Sequence, residues 1–323
     1  MKRILLVKTS SLGDVIHNLP VVNDILQQHP DAEIDWVVEE GFAEIPRLHP
    51  AIRQIFPVAM RRWRKNLFSK TTWSEIGSFK QTISNHPYDL IIDTQGLIKS
   101  AVLSQFANGK KYGFDKQSAR EPLASYFYQT TFQVSRNQHA VTRNRELAAY
   151  ALSYPKPNNA PEYGIAPNIN KLDFALPKKF IIGLHGTSKE SKLWPLPQWI
   201  ALAKTLSNND CHLVLPWASE SEYKRALEIA DKQNNVTVLP KLSISQLAYI
   251  INSAIAAVGV DTGLSHLSAA LNIPTVAIYT DTDPKLTGVV ASSVGKVINL
   301  GGKKQNPATS SVIDALKQIN VIL

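Results

Sequence analysis

Short apolar runs alternate with longer amphipathic stretches along the chain, beginning at residues 4–7, 34–38 and 90–92. Each run is too short for a buried helix, and each interval is long enough for a helix that crosses back over a sheet, so the pattern predicts parallel strands joined by helices. The pattern restarts after residue 170, with runs at 180–184, 212–215, 236–239, 255–260 and 275–279. A second sheet is therefore expected. Between the two series lies Tyr154-Pro155-Lys156-Pro157-Asn158-Asn159-Ala160-Pro161, whose prolines and asparagines oppose regular structure and mark a linker. Near the end, Val312, Ile313, Leu316 and Ile319 recur at helical spacing. The resulting expectation is an α/β protein of two Rossmann-like, doubly wound domains facing each other across a cleft. The first domain covers 1–155, the linker 156–170, the second domain 171–309 and a closing helix 310–323. The 323-residue length fits two cores better than one.

Composition narrows the function. With 44% hydrophobic and 19% charged residues the chain reads as globular, and no apolar run approaches the ~20 residues of a membrane-spanning helix. Lys8 interrupts the first apolar run before it reaches the length of a signal-peptide core, so a cytoplasmic location is expected. The single cysteine, Cys211, excludes an internal disulfide and any multi-cysteine metal site, and its apolar neighbours make it a core thiol. Lys plus Arg exceed Asp plus Glu, 35 − 26 = +9, which favours anionic partners. The cations are clustered in the first half, as Arg61, Arg62, Arg64 and Lys65 around Trp63 and as Arg136, Arg143 and Arg145. No recognisable nucleic-acid-binding motif accompanies them, although a basic nucleic-acid-binding protein is the alternative class that the charge allows.

Doubly wound domains carry their functional residues in the loops that follow strands. Four such loops stand out. Lys8-Thr9-Ser10-Ser11-Leu12-Gly13-Asp14 follows the first run, and there Asp14 is either a helix cap or an acid held at the site. It contains neither the dinucleotide-binding glycine pattern nor the lysine-terminated P-loop. His185-Gly186-Thr187-Ser188-Lys189-Glu190-Ser191-Lys192, ahead of Pro195, combines hydroxyls, glycine and lysines suited to a pyrophosphate. In Asp261-Thr262-Gly263-Leu264-Ser265-His266 a strand gives way to a helix start where backbone amides and the dipole favour phosphate. Glu222, after Pro216-Trp217, is placed either to accept from a ribose diol or simply to begin a helix.

These segments, with Arg61-Arg62-Trp63-Arg64-Lys65 and Ala119-Arg120-Glu121-Pro122-Leu123-Ala124-Ser125, resemble the heptosyltransferases of glycosyltransferase family 9, in the same order and over nearly the whole chain. The arginine-tryptophan and alanine-arginine-glutamate-proline segments resemble the branch that adds the first heptose of the lipopolysaccharide core. The resemblance implies a GT-B fold and an inverting, metal-independent transfer from ADP-L-glycero-β-D-manno-heptose to the Kdo of Kdo2-lipid A. A later core acceptor is the alternative within the family. It implies Asp14 as catalytic base and Lys192 as the group that assists departure of ADP. Donor contacts then fall to Thr187, Ser188, Lys192, Glu222, Leu242, Asp261, Thr262, Gly263 and His266. Acceptor contacts fall to Ser11, Gly13, Arg61, Arg62, Arg64, Lys65 and Arg120. Asp261 is assigned to heptose hydroxyls, because a carboxylate beside a diphosphate is repelled. Asp281-Thr282-Asp283 has metal-pair spacing but precedes Pro284 and reads as a structural turn, and relatives commonly carry glycine-proline just before Thr282. No metal and no cofactor are expected. The expected partners are the nucleotide-sugar, the lipid A acceptor and, peripherally, the anionic cytoplasmic face of the inner membrane, with Trp63 able to lie at the lipid surface. No nucleic acid is expected, and the chain is expected to act as a monomer.

Overall fold

The computed structural model describes residues 2–169 and 171–321 and divides into two compact units, Met1–Asn159 and Ala160–Leu323. The first contains β1 (Arg3–Val7), β2 (Glu33–Glu39), β3 (Ile52–Val58), β4 (Pro87–Asp93), β5 (Asn108–Phe114) and β6 (Thr130–Phe132). The second contains β7 (Phe180–Leu184), β8 (His212–Leu215), β9 (Val236–Val238), β10 (Ala256–Val260), β11 (Thr275–Tyr279) and β12 (Val297–Gly301). The sheets are parallel and ordered β3-β2-β1-β4-β5-β6 and β12-β11-β10-β7-β8-β9. Counted from each unit's first strand the two orders are the same, the doubly wound order with a switch point between the first and fourth strands. These are the two α/β units of the GT-B class.

The central strands are the apolar runs of the sequence because helices cover both of their faces. Ile4, Leu5, Leu6 and Val7 are all fully buried, as are Ala256, Ala257, Val258 and Val260. Four strands escape that signal. β3, β6 and β12 lie at sheet edges and β5 one place inside an edge, so their sequences keep polar residues such as Arg53, Lys110 and Lys111. In the second unit Trp194 and Trp199 meet edge to face with ring centroids 5.1 Å apart, and the Trp194 indole N–H donates to the Pro307 carbonyl at 2.8 Å. Cys211 is buried in the same core, and burial raises its thiol pKa.

The connecting and closing segments are built into the two units. Lys156, Asn159 and Tyr163 of the expected linker are held by side-chain bonds. Arg145 donates to the Asn159 carbonyl and side chain at 2.8 and 2.9 Å and Lys156 pairs with Glu146 at 2.6 Å, while Tyr163 donates to the Val290 carbonyl at 2.9 Å. The chain passes from one unit to the other at 159–160. The last helix, Thr309–Gln318, closes the second unit, with Val312, Ile313 and Leu316 in its core. Trp63 does not face lipid: it is buried in the first core, and its indole N–H donates to Glu75 at 2.6 Å. Arg145 likewise leaves the basic surface. It forms a two-pronged ion pair with Asp24 at 2.7 and 2.8 Å with both partners buried, and losing one partner of such a pair costs about 3–5 kcal/mol.

Two buried histidines give the fold an acid limit. Burial lowers His49 and His185 from the usual 6.5 to about 4, with the Arg225 charge adding to the effect on His185. The unfolded chain therefore binds more protons between these values. The stability held above pH 6.5 is lost as pH falls toward 4, at up to about 1.4 kcal/mol per pH unit for each group. His49 Nδ1 accepts from the Ala51 N–H at 3.2 Å, a bond an asparagine oxygen reproduces. We predict that His49→Asn flattens the fall of Tm between pH 6.5 and 4 in calorimetry. An unchanged slope would remove His49 from the account.

Candidate active site

In the first unit the loops after β1 and β4 meet at the switch point. Asp93, at the end of β4, is fully buried and accepts from the Gln95 N–H at 2.8 Å and the Tyr128 hydroxyl at 2.7 Å. Burial raises its carboxyl pKa against these bonds. Gly96 follows at φ +64, a left-handed conformation that a side chain resists, and turns the loop toward helix Ile98–Ser104. So held, the Gln95 Oε1 accepts from both the Thr9 and Ser10 N–H groups, at 3.0 and 3.1 Å. Asp14 lies one turn further, in helix Leu12–Ile16, and its carboxylate accepts from the Ser11 N–H at 2.7 Å and the Ser11 hydroxyl at 3.1 Å. Asp14 is thus a helix-start acceptor, as the capping reading of the sequence has it.

Cations surround this loop. The Lys8 Nζ is buried and donates to the Thr94 carbonyl at 2.7 Å; burial pushes its ammonium down to about 8, against the pull of Asp14 and Asp93. Lys99 donates to the Ser10 hydroxyl at 2.8 Å, and its pKa is lowered first by burial and then by Arg61 and Arg64, with Glu39 and Glu121 opposing. Arg61 holds its backbone on Glu39 at 3.0 Å and lays its guanidinium over Phe42. Arg64, Lys65 and Arg120 are exposed. Arg62 has other partners, pairing with Glu40 at 3.0 Å and Glu75 at 2.8 Å. These bonds hold the Glu75 carboxyl below its usual range and brace helix Met60–Lys65 against helix Lys70–Ser84, beside a 330 Å³ pocket lined by Trp63 and Phe79.

In the second unit the loops after β7 and β10 meet in the same topological place. Lys192 Nζ lies 2.7 Å from Asp261, their side chains 22% and 12% exposed, and the Thr282 hydroxyl donates to the same carboxylate oxygen at 2.6 Å. The Thr187 hydroxyl donates to the Asp261 carbonyl at 3.0 Å, tying the two loops together. Helix Gly263–Ala270 starts directly after Thr262, whose side chain makes no capping bond, and His266 is buried on it. Glu222 accepts from the Ala218 N–H at 2.7 Å as part of the start of helix Glu220–Ala230. Gly186 lies so near that a Cβ there would come within 2.6 Å of the Glu222 carboxyl, so the glycine keeps that carboxylate beside the β7 loop. Ser188 is exposed, and Leu242 is half-buried in the loop between β9 and helix Ile244–Ser253. The 280–284 segment is held as a turn. Ser191 donates to Asp281 at 2.7 Å, Thr280 to the Ser191 carbonyl at 2.8 Å, and Asp283 accepts from the Lys285 N–H at 3.0 Å.

The profile of glycosyltransferase family 9 (heptosyltransferase) matches residues 76–315. The chain belongs to glycosyltransferase family 9. This family 9 glycosyltransferase is 46% identical over 293 residues to lipopolysaccharide heptosyltransferase 1 of Pseudomonas aeruginosa, covering 90% of this chain and 82% of the relative. It is 44% identical over 287 residues to the protein of the same name from Escherichia coli K12, covering 88% and 90%. Among solved structures, E. coli heptosyltransferase WaaC with ADP superposes with a TM-score of 0.90 at 40% identity, covering 98% of this chain and 99% of the other. The nucleic-acid alternative gives way to this membership. No helix among the described residues of the family 9 enzyme is long and apolar enough to cross a membrane.

The structure thus gathers Thr187, Lys192, Asp261 and the Thr262–Gly263 helix start in one unit, and Ser11, Gly13, Asp14, Arg61 and Arg64 in the other. Sequence reading passed over the β4 loop, with Gln95 and Lys99, and assigned Lys8 no role. Its signal was available, since Asp93-Thr94-Gln95-Gly96 ends an apolar run and belongs to the strand beside β1. Gln95→Leu should destabilise the first unit by about 1–3 kcal/mol, because two buried N–H groups lose their acceptor. Denaturant unfolding measures this, and wild-type stability would show that the β1 loop does not depend on Gln95.

Proposed function

We propose that this enzyme transfers L-glycero-D-manno-heptose from ADP-L-glycero-β-D-manno-heptose to the Kdo of Kdo2-lipid A, with inversion and without a divalent ion, at the cytoplasmic face of the inner membrane. The observation that carries the reading is the Lys192–Asp261 pair, 2.7 Å apart before the start of helix Gly263–Ala270, in a chain whose relatives at 44–46% identity are named for heptose transfer. An ammonium and free helix-start amides suit a diphosphate, and they are the groups that stabilise charge growing on departing ADP. Asp261 needs Lys192 for the same electrostatic reason. Paired, it presents little repulsion to phosphate and keeps an acceptor oxygen for heptose hydroxyls. Glu222 serves the ribose, with Leu242 against the adenine and Thr187, Ser188 and His266 completing the donor contacts.

Asp14 takes the proton from the attacking Kdo hydroxyl as that oxygen bonds to the anomeric carbon and the bond to ADP breaks. The electron pair leaves with the diphosphate, so no co-reactant is required. Lys8 holds positive charge near the Asp14 carboxylate at neutral pH, and Lys99, Arg61, Arg64, Lys65 and Arg120 suit the carboxylates and phosphates of the acceptor. Arg62 contributes by bracing their helix.

Three outcomes test this reading. Asp14→Ala should lower kcat by roughly 10²–10⁴-fold with donor KM little changed, as expected for loss of a general base. Near-normal turnover would remove Asp14 from that role. Lys192→Ala should raise the ADP-heptose KM and lower kcat together, since the ammonium serves both the bound donor and the leaving group. Unaltered donor kinetics would contradict the assignment. Arg61→Ala with Arg64→Ala should raise the acceptor KM and weaken its salt dependence, while ADP affinity by calorimetry stays constant. Loss of ADP affinity with normal acceptor kinetics would overturn this division of labour.

A further inference from the structure

The turn after helix Met60–Lys65 and the first turn of helix Lys70–Ser84 expose three large apolar side chains, Leu67 at 52%, Phe68 at 103% and Trp73 at 59% of full accessibility. This turn is built. The Asn66 N–H donates to the Trp63 carbonyl at 3.0 Å, the Ser69 N–H to the Asn66 carbonyl at 3.0 Å, and the Trp73 indole N–H to the Leu67 carbonyl at 2.8 Å. A held turn with Phe68 in water has a hydration cost that no contact within the chain offsets, and clustered exposure of this kind marks an interaction surface. Residues 60–74 also contain five cations, Arg61, Arg62, Arg64, Lys65 and Lys70, and no carboxylate. Among the described residues only Arg62 of these five is in an ion pair.

A second exposed group lies in the 3₁₀ turn Pro122–Phe127, where Leu123 and Tyr126 are 60% and 72% exposed. Hydrogen bonds connect the two groups through the β1 loop. Glu121, just before the second group, accepts from the Ile98 N–H at 2.7 Å, and Lys99, next to Ile98, donates to the Ser10 hydroxyl at 2.8 Å. The Glu39 N–H donates to the Thr9 carbonyl at 3.1 Å, and the Glu39 carboxylate accepts from the N–H of Arg61, in the helix before the first group, at 3.0 Å. The chemistry selects the occupant. Interface cores between proteins are depleted of lysine, whereas apolar side chains ringed by unpaired cations match an acyl boundary beneath lipid phosphates.

We infer that Leu67, Phe68, Trp73, Leu123 and Tyr126 form the surface by which the first unit docks on an anionic bilayer, with Lys65 and Lys70 among the lipid phosphates. The inference rests on the reading that the acceptor is lipid-linked, for which docking beside the acceptor cations presents the headgroup to Asp14.

The test is co-sedimentation of the full chain with phosphatidylethanolamine–phosphatidylglycerol vesicles and with phosphatidylcholine vesicles, beside transfer to deacylated acceptor in solution. The wild type should bind the anionic vesicles and release as salt rises. Phe68→Ser with Tyr126→Ser should lower the partition by about tenfold or more, Phe68→Trp should keep it, and Lys70→Glu should lower it by about fivefold at low salt. All three variants should retain turnover on the soluble acceptor and a wild-type melting curve. Absence of vesicle binding by the wild type, or wild-type binding by the double serine variant, overturns the docking surface. So does loss of soluble-acceptor turnover in that variant, or a wild-type dimer in sedimentation equilibrium that the variant abolishes. Normal vesicle behaviour without heptose transfer supports docking and removes the acceptor reading alone.

Discussion

The structure depends on strand order. Placing β1 beside β4, and β7 beside β10, brings two loops together at each switch point, where neighbouring crossovers diverge and leave the strand ends open. Asp14, Lys99, Thr187, Lys192 and Asp261 follow the strands of these junctions, while Arg61 and Arg64 come from the helix after the edge strand β3. In the first unit the junction is made by Gln95, which accepts from two backbone N–H groups of the β1 loop, and behind it by Asp93 with Tyr128. In the second it is made by the Thr187 hydroxyl on the Asp261 carbonyl, reinforced by Lys192 on the Asp261 carboxylate. The same topological problem is solved by an amide in one unit and by a hydroxyl and an ion pair in the other.

Charge follows the same division. The first unit collects cations that no acid fully neutralises, and Lys8 and Lys99 are shifted downward because burial and neighbouring arginines disfavour the charged form. In the second unit the ammonium of Lys192 is already matched to Asp261. A basic total of +9 is therefore not a diffuse property of the surface. Arg145 is spent on Asp24 and Arg62 on Glu40 and Glu75, which leaves the cations nearest Asp14 as the informative ones.

Much of this was legible in the residues because central strands and their following loops leave strong signals. Residues 4–7, 180–184 and 256–260 are buried on both faces, and the segments ending in Asp14, Lys192 and His266 follow them directly. Three of the four edge strands and β5, one place inside an edge, were not legible, since such strands need apolar side chains on only part of their surface; β5 reads Asn-Gly-Lys-Lys-Tyr-Gly-Phe. Nor was the difference between Arg61 and Arg62, adjacent in sequence. One lies near Lys99 and the other is locked by two glutamates brought from residues 40 and 75. Trp63 failed as a surface residue for a related reason: in a short helix flanked by charges, one face still turns inward, and the exposed apolar residues come a turn later at Leu67 and Phe68. Contacts between distant segments decide such cases, and periodicity carries no record of them.

We propose a single displacement on ADP-heptose in which a carboxylate base and an ammonium take the parts that a metal ion plays in other transferases. The most direct measurement is the anomeric configuration of the product formed from ADP-L-glycero-β-D-manno-heptose and deacylated Kdo-lipid A, read by NMR after reaction in excess chelator. The account predicts an α-linked heptose formed at an undiminished rate. A β-linked product, or a reaction that stops until a divalent ion is restored, would contradict it.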